Sequence, residues 1–152
     1  MERQRSWVLI ALLGSLAGCA PASPPGSALP AAAAGVSARS APAGSERGRI
    51  GADLFAGNCS ACHQQGGQGV PGVYPSLAGS PTVLGDPRGL ARWVVKGQRA
   101  PTMPPGRYTT SMPQFGWLKD ADAAALFTYL RSNFGNRAAP VDAATVASAL
   151  EE

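Results

Sequence analysis

Cys59-Ser60-Ala61-Cys62-His63 is the stretch on which the reading of this chain turns. Two thiols separated by two residues and followed at once by a histidine make the spacing at which c-type haem is attached. Each thiol adds across one vinyl group of the porphyrin. The histidine is then held under the ring, where an imidazole nitrogen can ligate the iron. His63 is also the one histidine in 152 residues, so no second imidazole is present for other chemistry.

Two other uses of such cysteines weigh against this one. A dithiol redox pair needs a βαβ setting, and the flanks here are rich in Gly, Ala and Pro with no strand-like run. A zinc site needs four ligands, and the one remaining cysteine, Cys19, lies forty residues upstream.

Outward from the motif, the apolar pattern is helical and the fold class is all-α. Asp53-Leu54-Phe55-Ala56 reads as a short helix delivering the first thiol. Pro87 to Gly97 opens on a proline, repeats apolar residues at Leu90, Trp93 and Val94, and stops at a glycine. The last strong helix is expected from Asp120 to Phe134. Asp120 and Asp122 suit its positive N-terminal end, Ala123, Leu126, Phe127 and Leu130 share a face, and Gly135 ends it. The run Gln64 to Gly69 is turn-rich and lacks the Gly-Lys-Ser/Thr of a phosphate loop.

With Gly51-x-x-x-Phe55 ahead of the Cys-x-x-Cys-His run, the chain resembles a class I c-type cytochrome, from Ile50 to Arg137. The run Tyr108 to Asn136, with Tyr108-x-x-x-Met112-Pro113 before the final helix, resembles the cytochrome domains of membrane-bound sugar and alcohol dehydrogenases. The resemblance implies a small cytochrome c fold, three to four helices wrapped around one haem c bound covalently through Cys59 and Cys62. It implies that the first helix crosses the last, with Leu126, Tyr129 and Leu130 against Gly51 and Phe55. It further implies that Pro75, twelve residues beyond His63, offers its carbonyl to the second imidazole nitrogen, a bond that orients a ligating ring.

Two methionines compete for the sixth position on the metal, Met103 and Met112, both followed by proline. Met112 lies about eight residues before the final helix, as in the family, and Met103 lies nine further back. Metal ligands are therefore expected to be His63 and Met112. Trp93 is expected in the core beside the ring.

The N-terminal part reads differently. Residues 1–18 have a basic start (Arg3, Arg5), an apolar run from Trp7 to Ala17 and small residues at the end, the plan of a secretory signal too short for a permanent span. Leu16-Ala17-Gly18-Cys19 resembles a bacterial lipobox, with Cys19 as the lipidated residue. Lipid on Cys19 and thioethers at Cys59 and Cys62 would use all three cysteines, where an odd free thiol in an oxidising compartment is a liability. Ala20 after the cysteine resembles the outer-membrane form. Residues 19–49 are expected to be a flexible tether: between 20 and 45 everything but Leu29, Val36 and Arg39 is Ala, Pro, Ser or Gly. Such a chain reaches roughly 30 Å. Residues 50–137 form the expected domain, and 138–152 a disordered tail.

The formal charge of +4 falls to about +3 once Arg3, Arg5 and Glu2 leave with residues 1–18, too little to imply nucleic acid. Arg88, Arg92, Lys96, Arg99 and Arg107 are locally concentrated. They read equally as a solvated face serving the haem propionates and as a docking patch for an acidic partner.

A histidine–methionine pair fills the metal's coordination, leaving no place for a small-molecule substrate, and no paired carboxylates offer acid–base chemistry. The expected function is a periplasmic one-electron carrier, lipid-anchored at a bacterial membrane, between a dehydrogenase and an oxidase. A permanent electron-transfer subunit of a dehydrogenase complex is a second possibility. A haem enzyme or sensor with a displaceable Met112 is a third.

Overall fold

The computed structural model describes residues 45–101, 106, 108 and 110–152. The signal at 1–18, Cys19, the tether up to residue 44, Met103 and Arg107 lie outside the described residues.

Among the described residues six helical segments follow one another: α1 (Glu46–Asn58), α2 (Ser60–His63), α3 (Pro81–Leu84), α4 (Pro87–Lys96), α5 (Asp120–Ser132) and α6 (Ala143–Glu151). Among the described residues there is no strand, only an isolated antiparallel bridge between Val70 and Tyr74. No helix among them is long and apolar enough to cross a membrane.

The crossing of α1 with α5 is the main joint. A Cβ on Gly51 would overlap the Ala125 carbonyl oxygen and lie 2.8 Å from Tyr129 Cβ, so only glycine lets the two backbones approach this closely. Phe55 closes the crossing against Tyr129 and Phe134, with ring centroids 5.7 and 4.9 Å away. Buried Leu126, Phe127 and Leu130 of α5 extend the core toward α4, which contributes Leu90, Ala91, Val94 and Val95.

Helix α1 begins at Glu46, inside the stretch expected to be tether. Ser45 is its N-cap, its hydroxyl accepting from the Gly48 N–H at 3.1 Å, and Glu46 puts a negative charge in the first turn. Helix α5 stops at Ser132, two residues early. Phe134 takes a left-handed φ of 59°, which turns its ring back onto Phe55 and Tyr129; continuing the helix would carry it away from them.

The tail differs most from the expectation of disorder over 138–152. Asp142 caps α6, accepting from the Thr145 N–H at 2.7 Å. Val146 and Ala149 are fully buried, with Leu150 beside them, against α4 and α5. These three positions have the i, i+3, i+4 spacing of one helix face. The alanines around them hide that stripe in composition while giving the helix its propensity. Thr128 locks the connection, its hydroxyl donating to the Val141 carbonyl and accepting the Val141 N–H at 3.1 and 3.0 Å.

Helix α6 also takes up most of the basic cluster. Arg88 and Arg92 both pair with Glu152, the latter at 2.6 Å, and Lys96 donates to the Leu150 carbonyl. Cations belong at the negative end of a helix. Three of the five basic residues are therefore turned toward α6, which corrects the reading of the cluster as a single docking or propionate face.

Two buried polar side chains fasten the loops to α5. The Arg131 guanidinium donates to the carbonyls of Val83, Gly85 and Ala139 at 2.6, 2.9 and 2.8 Å. Burial pushes its pKa down, and the charge of Asp86 opposes that shift. Asn136 donates to the Leu77 and Leu130 carbonyls and accepts from the Gly79 N–H.

Candidate functional site

Cys59 ends α1 and starts α2. Its N–H donates to the Phe55 carbonyl at 2.9 Å, while its own carbonyl accepts from Cys62 and His63 at 3.2 and 2.9 Å. The single turn so formed places positions 59, 62 and 63 on one face, since residues three and four apart are neighbours on a helix. Gln64 then leaves with a φ of 63°, and the chain folds back, the Gly69 N–H donating to the His63 carbonyl at 2.8 Å.

That return brings the Pro75 carbonyl 2.8 Å from His63 Nδ1. A carbonyl only accepts, so Nδ1 carries the proton and Nε2 keeps the free lone pair. His63 is 7% exposed and its ring is oriented by this bond, which suits a metal ligand.

Cys59, Cys62, His63, Pro75, Trp93, Arg99 and Met112 all line one cleft of ≈ 620 Å³. This lies within the roughly 300–1,000 Å³ typical of sites for small molecules and cofactors. The Arg99 guanidinium stands over the Trp93 ring, 5.7 Å from its centroid. Trp93 and Met112 are half-buried and pack on the core. Phe115, from the segment that carries Met112, is buried in that core and also lines the cleft.

The chemistry of the two thiols argues against a dithiol redox pair. Burial, then the neighbouring Cys62, pushes Cys59 up to about 11, whereas a reactive thiol needs a lowered pKa. Among the described residues no three His, Cys, Asp or Glu side chains gather as a metal cluster, so a zinc shell has no ligands to complete it. A cleft with two cysteines, one imidazole offering a free nitrogen and one thioether does fit a covalently attached haem.

The sequence positions 59, 62, 63, 75 and 112 thus come together, while Cys19 and Met103 lie outside the described residues. Sequence reading did not find Asn136, Arg131 or Gln114. A lone Asn, Arg or Gln carries no periodic signal, and only the path of the loops shows what it holds.

Comparison with known proteins agrees. The cytochrome c family model matches residues 49–134. The cytochrome c subunit of a quinone-type alcohol dehydrogenase from Gluconobacter oxydans (strain 621H) is 35% identical over 94 residues, covering 60% of this chain and 20% of that protein. The cytochrome subunit of fructose dehydrogenase from Gluconobacter japonicus is 35% identical over 104 residues, 63% of this chain and 21% of its own length. Cytochrome c-552 of Thermus thermophilus is 32% identical over 91 residues, 57% of this chain and 69% of its own. The chain spans about one fifth of the two dehydrogenase subunits it matches. Since the family match runs from within α1 through the end of α5 and takes in both cysteines, the chain belongs to the cytochrome c family, a class I c-type cytochrome whose haem c is bound covalently through Cys59 and Cys62.

Proposed function

We propose that this electron-transfer protein is a lipid-anchored carrier on the periplasmic side of a bacterial membrane, the outer one by the residue after Cys19. It passes single electrons from a dehydrogenase to a terminal acceptor such as an oxidase. The observation that carries the reading is the bond from His63 Nδ1 to the Pro75 carbonyl, which leaves Nε2 as a ligand in the cleft that Met112 also lines. When bound, the haem supplies a one-electron ferric/ferrous couple, and a thioether ligand raises its potential. Cys59 and Cys62 fix the ring's position. Pro75 holds the imidazole against rotation, and Met112 would supply the second protein ligand to the haem iron and so exclude small ligands. Phe115 and Trp93 give the cleft an apolar wall backed by the core. No proton donor or acceptor is needed, and none is assigned.

Cys19 would bear the lipid, and residues 20–45, rich in Ala, Pro, Ser and Gly, would give the domain its reach. A permanent place in a dehydrogenase complex is a second reading, favoured by the kinship with dehydrogenase cytochrome subunits. Co-purification with a large flavin- or quinone-dependent partner after detergent extraction would select it.

The test is Met112→Ala in the full chain, matured with haem. Loss of the far-red charge-transfer band of methionine-bound ferric haem, a lowered potential and new carbon monoxide binding are expected. A band and potential equal to wild type would refute Met112 as ligand.

A further inference from the structure

Residues 111–118, which carry Met112, contain no helix or strand. Among the described residues, two contacts tie this segment to the rest of the fold near the methionine, both at the C-terminal end of α4. In the first, the Phe115 N–H donates to the Val94 carbonyl at 3.0 Å. That carbonyl is one of the last four of α4, which have no partner within the helix. Gly97 makes it available. Its left-handed backbone, φ 69° and ψ 14°, closes the helix so that the N–H groups of Gly97 and Gln98 satisfy Trp93 and Arg92 instead, at 3.0 and 3.1 Å.

The second contact is steric. The Gln114 side chain lies directly on the Gly97 α-carbon: a Cβ there would stand 2.6 Å from Nε2, 2.8 Å from Cγ and 2.9 Å from Cδ. Three atoms of one side chain, the backbone-proximal Cγ among them, occupy the place of the missing methyl. Gln114 is two residues from Met112, and Phe115 beside it is buried. The loop is thus clasped to α4 at a point where α4 itself lines the cleft through Trp93.

We propose that Gly97 and Gln114 form a latch that positions Met112, the glycine leaving the space that the glutamine side chain fills, so that the loop is held on α4 with its thioether set toward the iron. Both are positioning residues that reach the metal only through Met112. The latch rests on the reading that Met112 is the sixth ligand.

The test is competition for the iron. Ferric wild type, Gly97→Ala, Gly79→Ala and Met112→Ala, each the full chain matured with haem, are titrated with imidazole while the methionine–iron band is followed. Gly79 is the control, since its φ of 66° imposes the same backbone strain with nothing within 4 Å of a new Cβ. Gly97→Ala should need about fivefold less imidazole for half-displacement than Gly79→Ala, the lower end of the overpacking scale, because Gln114 is exposed and yields at its tip while its Cγ, 2.8 Å from the new methyl, cannot move without the loop. Adding Gln114→Ala to Gly97→Ala, which empties the contested space, should recover at least half of that difference on a logarithmic scale. If Met112→Ala lacks the band while Gly97→Ala and Gly79→Ala are displaced at the same concentration, the latch is refuted and the ligand reading stands. If Met112→Ala keeps the band, the ligand reading fails and takes the latch with it. Failure of Gln114→Ala to recover anything would likewise overturn the proposal.

Discussion

Asn136 gives the sharpest test of how the loop over the haem-attachment turn is held. Its side chain is 4% exposed. Nδ2 donates to the Leu77 carbonyl at 3.0 Å and the Leu130 carbonyl at 2.8 Å, and Oδ1 accepts from the Gly79 N–H at 2.8 Å. Leu130 is in the last turn of α5, where carbonyls lack helical partners. Asn133 and Ala138 N–H groups serve Tyr129 and Arg131, and Asn136 serves the carbonyl between them. Truncation to alanine strands two buried carbonyls, of Leu77 and Leu130, while the Gly79 N–H, on an exposed residue, can turn to water. Each costs about 1–3 kcal/mol if left dry. A water entering the vacated space would satisfy part of the set, so Asn136→Ala is expected to lose about 3 kcal/mol.

Asn136→Asp has nearly the same volume and keeps the acceptor for Gly79. Its second oxygen, however, meets two carbonyls with no proton to offer. At neutral pH it should lose at least as much as alanine does. The sign with pH follows: the introduced carboxylate is destabilised by burial and by the facing carbonyls, so its folded pKa lies above the unfolded value near 3.9. The penalty is then smallest below that unfolded value and grows until pH passes the folded one. Urea unfolding of the ferric holoprotein at pH 4 and pH 7, followed by far-ultraviolet circular dichroism, measures both. An aspartate variant as stable as wild type at pH 7, or a penalty that shrinks with rising pH, would refute the donor roles given to Nδ2.

Two glycines of α1 separate crowding from helix propensity. Gly57→Ala meets nothing within 4 Å and should gain roughly 0.5–1 kcal/mol, whereas Gly51→Ala drives a methyl into Ala125 and Tyr129 and should lose about 1–3 kcal/mol; equal shifts in the denaturation midpoint would refute the crossing. Asp142 caps α6, and its bonds to the Thr145 N–H and hydroxyl, outweighing burial, hold its carboxyl below the ordinary value. The contribution is therefore full above the unfolded pKa and disappears as pH falls through the folded one. Asp142→Ala should cost about 0.5–1 kcal/mol at pH 7 and nothing at low pH, and an unchanged gap in thermal midpoints across that range would count against the cap.

The parts legible in the sequence are those set by local chemistry. The spacing of Cys59, Cys62 and His63 defines one turn of helix, and Gly97 after Leu90, Trp93 and Val94 marks the end of α4, both independent of distant residues. Helix α6 was not legible, because Val146, Ala149 and Leu150 become an apolar face only where α4 and α5 supply a surface for it. The basic cluster misled for the same reason: Arg88, Arg92 and Lys96 are near one another along α4, and their partners, Glu152 and the Leu150 carbonyl, are some sixty residues on. Phe134 looked like a helix residue until its place in the Phe55–Tyr129 cluster favoured a left-handed turn.

The two sides of the cleft are therefore held in unequal ways. His63 is on a turn fused to α1, hydrogen-bonded through its ring to Pro75, and the loop behind it is pinned to α5 by Asn136. Among the described residues, the backbone hydrogen bonds of 111–118 are two, one to Val94 and one internal, from Leu118 to Phe115. Core damage at Gly51 or Asn136 should then lower global stability before it changes methionine ligation, while changes at the end of α4 should do the reverse. An electron carrier benefits from that separation. With Met112 as the sixth ligand, as proposed, its potential would depend on a soft bond to sulfur, and the contacts of residues 111–118 with the end of α4 would set the strength of that bond without touching the helix crossing of α1 and α5.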